Sequence, residues 1–102
     1  MAFERYGYTW EGAFTDPEKL ESRSGVYMVW CKTGETWKVL DVGESHDVKE
    51  RVKNHDRAPE WSRNCQGTIY FSAYYTPNVQ QPGRREIEKV IRQKENPPCG
   101  DR

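Results

Sequence analysis

Aliphatic side chains are scarce in this sequence. Two leucines, three isoleucines and eight valines, together with three phenylalanines, make up only 16 of its 102 residues. So low a fraction is typical of disordered chains when the net charge is also large. Here 16 basic residues balance 16 acidic ones, and four tryptophans and six tyrosines supply apolar area. We therefore expect a folded chain with a small, aromatic-rich core.

The sequence also lacks a long apolar run and an excess of positive charge. No window approaches the length of a membrane-spanning helix, and the charged opening MAFERYGY does not resemble a signal peptide. A net charge of zero gives no global field that would attract nucleic acid or an acidic membrane surface. Contact with nucleic acid would therefore need a local basic patch or a partner protein. The length is that of one small domain.

Cysteines are few, odd in number and unevenly spaced: Cys31, Cys65 and Cys99 form no CxxC pair. This usage predicts free thiols in a reduced, cytoplasmic environment. A zinc site formed by the three cysteines and a histidine is conceivable, but zinc ligands usually include a closely spaced cysteine pair. The spacing therefore does not favour zinc.

Residues 1–23 are predicted to be an irregular, aromatic arm. The alternation of Tyr6, Tyr8 and Trp10 could make an edge strand or a packed arm. An aspartate–proline pair then predicts a helix of about two turns at residues 17–21. The arm carries no residues that suggest chemistry, and we expect it to cover the core.

Residues 24–100 are predicted to form a single α+β domain. A glycine between two apolar runs predicts a hairpin, and the later periodicity predicts two helices separated by a strand. The expected strands are residues 26–31, 37–42 and 68–75, and the expected helices are residues 48–55 and 84–96. The order is β-β-α-β-α, with a small antiparallel sheet of about three strands flanked by helices. Residues 59–61 could begin a further short helix.

Asp41 conflicts with its local context. It falls late in the apolar run Val39 to Val42, and aspartate is both depleted in strands and costly to bury. A residue that breaks a local rule in this way often marks a functional site.

A set of short motifs occurs in order between residue 24 and the last predicted helix. These motifs are Gly25-Val26-Tyr27, Asp41-Val42-Gly43, Arg51 and His55. The set resembles the GIY-YIG nuclease domain family, which has Gly-Ile-Tyr and Tyr-Ile-Gly on its first two strands. An arginine follows in the next helix, with a tyrosine or histidine four residues later. The family's metal-binding glutamate is matched by Glu88, which lies in a similar hydrophobic segment.

The resemblance implies an endonuclease that hydrolyses DNA phosphodiester bonds with one Mg²⁺ or Mn²⁺. Tyr27 would take a proton from the attacking water or orient it, and His55 would share the proton transfer. Arg51 would hold the scissile phosphate, and Glu88 would ligate the metal. DNA would be bound directly or through a partner protein. Glu86 is the alternative metal ligand.

Each of these residues also has a purely structural interpretation. Tyr27 could be a core aromatic, Arg51 a solvated helix residue and His55 a histidine that interacts with the helix dipole. Glu88 could be a surface residue that pairs with an arginine four positions away.

Two acidic residues depart from the family pattern. Asp41 stands where the family has its second tyrosine, and Glu44 stands where many members have lysine. Asp41 could act as a general base, add a carboxylate near the metal, or repel the phosphate. The alternative function is therefore a catalytically inactive domain of the same fold that serves as a binding or regulatory module.

Overall fold

The computed structural model describes residues 2–100, which form one antiparallel sheet with helices packed on it. The strands are β1 (Ala2–Arg5), β2 (Tyr8–Phe14), β3 (Gly25–Thr33), β4 (Thr36–Ser45) and β5 (Thr68–Tyr75). The helices are α1 (Val48–Lys53), α2 (Ala58–Arg63) and α3 (Gln81–Glu95), with a 3₁₀ turn at Pro17–Lys19. Every strand pairing is antiparallel, and the strand order is β1-β2-β5-β3-β4. The predicted α+β class is confirmed.

The prediction of about three strands is wrong, because the N-terminal residues add two. Arg5 pairs with Tyr8, so Tyr6 and Gly7 alone connect β1 to β2. Both have positive φ, 58° and 82°, as the tight hairpin turns that match strand twist require. β2 then pairs with β5 and extends the sheet.

The predicted order β-β-α-β-α also needs correction. Residues 24–100 run β-β-α-α-β-α, because α2 forms a complete short helix between α1 and β5. The predicted two-turn helix at residues 17–21 is only the 3₁₀ turn. Its aspartate does cap it, since Asp16 accepts a hydrogen bond of 2.9 Å from the backbone of Glu18.

β3 lies between β4 and β5 and is buried from Gly25 to Cys31. Successive side chains point to opposite faces of the sheet. Tyr27 packs on the face that α1 and α2 cover, with Val52 and Trp61. Met28 packs on the other face with Ile91 of α3. Because both faces are covered, the strand is a continuous apolar run rather than an alternating one.

The pairing of β3 with β4 is interrupted by a β-bulge at Leu40. Val29 pairs with Asp41 and Trp30 with Val39, so Leu40 is the extra residue. Val29 and Asp41 are opposite each other, two positions along from the pair Tyr27 and Gly43. The register therefore places Asp41 on the same face as Tyr27.

The prediction that all three cysteines are free is wrong. Cys31, near the end of β3, forms a disulfide with Cys65, which follows α2, and their Cα atoms are 5.6 Å apart. That separation is ordinary for a disulfide. Cys99 is free and buried. The bond removes two of the three thiols considered for zinc, and with them the basis for inferring a reduced environment.

Candidate functional site

Tyr27 and His55 form a hydrogen-bonded pair. Tyr27 Oη lies 2.6 Å from His55 Nε2, and the two rings meet edge to face. Tyr27 pairs with Gly43 of β4, where an added Cβ would lie 2.1 Å from the tyrosine oxygen. Glycine at position 43 therefore leaves the space that the phenol ring occupies.

The hydrogen bonds of His55 define its tautomer. The backbone N–H of Arg57 donates to His55 Nδ1 over 3.0 Å, so this nitrogen is the acceptor of the neutral ring. Asp56 Oδ1 lies 3.2 Å from the same nitrogen and is a partner for it only when the ring is protonated. Nε2 then carries the proton and donates to Tyr27 Oη. The hydroxyl hydrogen of Tyr27 can consequently donate to a third group, such as a water molecule or a substrate oxygen.

Burial controls the protonation of both partners. It raises the pKa of Tyr27 well above its ordinary value, and the negative charge of Asp41 adds to this, whereas Arg51 and Arg57 act against it. Burial also lowers the pKa of His55 to about 4, with the two arginines contributing in the same direction. At neutral pH the resting pair is thus a neutral phenol and a neutral imidazole.

Two arginines lie near the pair and bind different carboxylates. Arg51 lies on α1 with its side chain 41% exposed, and its Nη2 is 3.5 Å from Asp56 Oδ1. Arg57, just before α2, is less exposed at 25%. Its backbone donates to His55 while its guanidinium Nε donates to Asp41 Oδ2 over 2.8 Å. Arg57 is therefore held more rigidly than Arg51.

Asp41 is fully buried and is the centre of a polar cluster. Its oxygens accept hydrogen bonds from Arg92 Nη2 at 2.5 Å, Trp61 Nε1 at 2.8 Å and the backbone N–H of Val42 at 2.8 Å, besides those from Arg57. We call Asp41, Arg57, Trp61 and Arg92 the Asp41 cluster. These bonds explain how an aspartate can be buried in an apolar strand, because a buried carboxylate requires paired charges and hydrogen-bond donors.

The residues after α3 close over the Asp41 cluster. Arg92 Nη1 donates to the carbonyl of Cys99 over 3.1 Å, and the Cys99 N–H donates to the carbonyl of Leu40 over 3.0 Å. Gly100 follows with φ of +87°, and an added Cβ there would lie 2.9 Å from Asp41 Oδ1. Cys99 and Gly100 thus pack closely over the buried carboxylate of Asp41.

A basic cleft of about 750 Å³ runs beside α3. Among the described residues that line it are four cations and one carboxylate: Arg57, Arg85, Lys89, Arg92 and Glu88. The predicted metal ligand, Glu88, is partly buried, and its Oε2 accepts a bond of 3.1 Å from Arg92 Nε. Burial raises the pKa of Glu88. A chain with no net charge thus has a locally positive cleft.

Glu86, the alternative metal ligand, lies elsewhere. It lines a small cavity between α3 and the N-terminal hairpin, together with Tyr6 and Tyr8. The two glutamates are two positions apart on a helix, so they point in different directions. Glu88 is the one that the structure places beside the other predicted site residues.

The other four predicted site residues all lie within reach of Tyr27. The charges of Asp41, Arg51 and Glu88 each affect the pKa of Tyr27, to which His55 is bonded. The residues missed by the sequence analysis were Arg57, Trp61 and Arg92. A buried aspartate does indicate that cationic partners exist, but sequence alone does not say which of 16 basic residues they are.

No protein-family model, curated protein or solved structure matches this chain with significant similarity. Within residues 2–100, no helix is both long enough and apolar enough to cross a membrane. The function must therefore be inferred from the site itself.

Replacing His55 with glutamine is expected to remove part of the pH dependence of stability. The pKa of His55 in the folded protein, about 4, lies below the ordinary 6.5, so the unfolded chain takes up the proton first. The stabilising contribution is therefore complete above about pH 6.5 and is lost as the pH falls towards 4. Between pH 7 and pH 4.5 the parent should therefore lose about 1–3 kcal/mol of unfolding free energy that His55→Gln does not lose, as measured by urea unfolding.

The matched control is His46→Gln, because His46 is the other histidine and is exposed. It should follow the parent protein across this range. An equally steep dependence in His55→Gln would show that other groups are responsible.

Proposed function

We propose that this chain is a GIY-YIG-type endonuclease domain that hydrolyses DNA phosphodiester bonds with one divalent metal ion. The observation that carries the proposal is the Tyr27–His55 pair beside the basic cleft. Arg57 links the two, because its backbone holds His55 while its side chain lines the cleft. A group able to handle a proton thus lies next to a surface suited to a phosphate.

Phosphate binding is assigned first to Arg57 and Arg92. Both guanidinium groups are oriented by Asp41, and both line the basic cleft. Arg57 binds Asp41 through Nε and Nη2, so its remaining N–H groups can hold two phosphate oxygens. Four of the five N–H groups of Arg92 already donate to protein oxygens, so Arg92 can offer one. Arg51, the residue suggested by the sequence resemblance, would act as a further cation near Tyr27.

Tyr27 is assigned to orient the attacking water. Its oxygen accepts the Nε2–H of His55, which leaves the phenolic hydrogen for a neighbouring oxygen. Its raised pKa keeps it protonated in the resting site, so proton removal requires added positive charge nearby. In this tautomer neutral His55 donates to the phenol from Nε2, so it orients Tyr27 rather than accepting its proton.

Asp41 is assigned a positioning role. Both of its oxygens are already occupied by donors from Arg57, Trp61 and Arg92. A carboxylate so engaged is a weak proton acceptor, because its charge is stabilised by every one of these bonds. Its contribution in this proposal is to hold the two arginines toward the cleft.

Glu88 fits a singly ligated Mg²⁺ or Mn²⁺. Magnesium binds through one or two carboxylates and keeps several waters, so a full cage of protein ligands is not needed. Within residues 2–100 no group of three or more histidine, cysteine or acidic side chains could hold a metal, so an ion at Glu88 would be held by this one carboxylate and water. Such an ion supplies positive charge that stabilises the phosphate and the leaving oxygen.

Glu88→Gln is expected to abolish metal-dependent nicking of supercoiled plasmid, lowering the rate at least ~100-fold. The substitution keeps the size and removes the charge. Rates would be measured with Mg²⁺ and with Mn²⁺. Glu86→Gln is the matched control, since the same change on the other side of α3 should leave the rate unchanged. Equal loss in both variants would contradict the assignment of Glu88.

A second candidate is a catalytically inactive domain that binds DNA or regulates a partner. It is favoured by the buried, protonated state of Tyr27 and by the full engagement of Asp41. The same nicking assay distinguishes the two. Binding of plasmid without cleavage, under either metal, would establish the inactive module.

A further inference from the structure

The face of the sheet opposite Tyr27 has an open aromatic groove. Alternation along β3 places Trp30 on this face, where α3 covers the end near Met28. The other end is a groove of about 540 Å³, within the usual size range of ligand sites. We call this the aromatic groove; its floor is formed by Phe3, Trp30, Trp37 and Tyr70.

The rings of the aromatic groove come from four strands, β1, β3, β4 and β5. Trp37 lies 4.8 Å from Tyr70 and 6.0 Å from Trp30, measured between ring centroids, and it is tilted or perpendicular to both. Phe3 of β1 meets Trp30 edge to face, so the N-terminal hairpin curls over the sheet and forms one wall. The rings thus line a concave surface rather than stack on one another.

Trp37 is unusually exposed for so large an apolar side chain. It is 44% exposed, whereas Trp10, Trp30 and Trp61 are at most 6% exposed. A tryptophan left in solvent beside other rings offers a flat surface for stacking.

The charged groups at the aromatic groove are both cations. Arg5 lies over the Trp30 ring at 5.3 Å, and Lys32 lies over the Trp37 ring at 5.3 Å. No acidic side chain is among the described residues that line the groove. Arg5 also pairs with Glu95 at 2.9 Å, so Lys32 is the cation that we assign to a ligand. A cationic ligand would be repelled by Lys32, and a neutral sugar would make no use of its charge. The combination favours a ligand that is flat, aromatic and anionic.

We propose that the aromatic groove binds single-stranded nucleic acid, with a base stacked on Trp37 and a phosphate beside Lys32. Stacking platforms with cations along them are the usual design for single strands, because every base has a flat face and every linkage a negative charge. In a duplex the bases are already stacked on each other and cannot reach the ring. The described residues that line the groove include none of those that line the basic cleft, so this function is separate from phosphodiester hydrolysis.

The test is binding of a fluorescein-labelled dT₈ oligonucleotide to the full chain, followed by anisotropy. Trp37→Ala is expected to weaken binding at least ~10-fold, as loss of one stacked base does. Lys32→Ala should lower the salt slope of the binding constant by about 0.7, the value for one phosphate on a single strand. Quenching of intrinsic fluorescence should accompany binding, because Trp37 is the accessible tryptophan.

Val90→Ala is the matched control, since Val90 is 40% exposed on α3 and lies outside the groove. It should bind dT₈ like the parent. If Trp37→Ala does not fold, Lys32→Glu tests the same groove. Its affinity for dT₈ should be at least ~10-fold lower than that of the parent.

Three results would overturn the proposal. One is equal affinity for dT₈ and for a duplex of the same length. Another is dT₈ binding that Trp37→Ala and Lys32→Ala leave unchanged. The third is a concentration-dependent dimer, seen by sedimentation, that Trp37→Ala abolishes, since this would assign the groove to a second copy of the chain.

Discussion

Asp41→Asn is expected to destabilise the fold by about 3–5 kcal/mol, the usual cost of removing one partner from a buried ion pair. The amide preserves the size of the side chain but leaves Arg57 and Arg92 without their common counterion. It also offers an NH₂ group where Trp61 and the arginines donate, so at least one donor loses its acceptor. The change would be measured from the urea dependence of tryptophan fluorescence.

Asp56→Asn is the control for this substitution. Asp56 also pairs with an arginine, Arg51, but its side chain is 78% exposed. Exposed pairs contribute about 0–1 kcal/mol, so a small effect is expected. If Asp41→Asn cost no more than Asp56→Asn, the Asp41 cluster would not be a determinant of stability.

Tyr27→Phe is expected to lower the rate of plasmid nicking at least ~100-fold while the fold is retained. The phenyl ring fills the same space over Gly43, and only the hydroxyl that contacts His55 is lost. Positioned groups that transfer or orient a proton typically contribute a factor of 10²–10⁴. Rates would be compared under single-turnover conditions, where product release does not limit them.

Tyr75→Phe is the matched control for the tyrosine. The hydroxyl of Tyr75 accepts a backbone hydrogen bond of 2.9 Å from Glu21, so its loss has a similar cost in stability. It should leave the nicking rate unchanged. Nicking by Tyr27→Phe at the parent rate would exclude the phenol from the chemistry.

The central strands and the main helices were predictable because their information is local. β3 and β5 are dense in β-branched and aromatic residues, and Val48 and Val52 mark the buried side of α1. Asp47 caps α1 as its type and position indicate, accepting a bond of 3.2 Å from Glu50. These features can be assigned without knowing what lies opposite them.

The N-terminal hairpin escaped prediction because its turn is atypical. Two-residue hairpin turns usually place asparagine or aspartate before glycine, since both positions need positive φ. Here the first position is Tyr6, whose side chain gives no such indication. An edge strand in the aromatic arm could therefore be suggested from the sequence, but the pairing of β2 with β5 could not be predicted.

The contacts of the candidate site could be predicted only in part. Tyr27, Arg51, His55 and Glu88 follow from motif order, and Asp41 follows from its conflict with a strand. The disulfide partner of Cys31 lies 34 positions away, and nothing in the local sequence points to it. Arg92 lies 51 positions from Asp41, so its role emerges only once α3 is docked.

The span of the Asp41 cluster has a consequence for the order of folding. Its members are separated from Asp41 by 16, 20 and 51 positions, and Cys99 closes it from farther along the chain. A strand that buries Asp41 early would bury a lone charge, which is strongly unfavourable. Asp41 can therefore be fully buried only when Arg57 and Trp61 at α2 and Arg92 of α3 are all in place. Contacts between distant residues slow folding, so docking of α3 is the step that we expect to limit it.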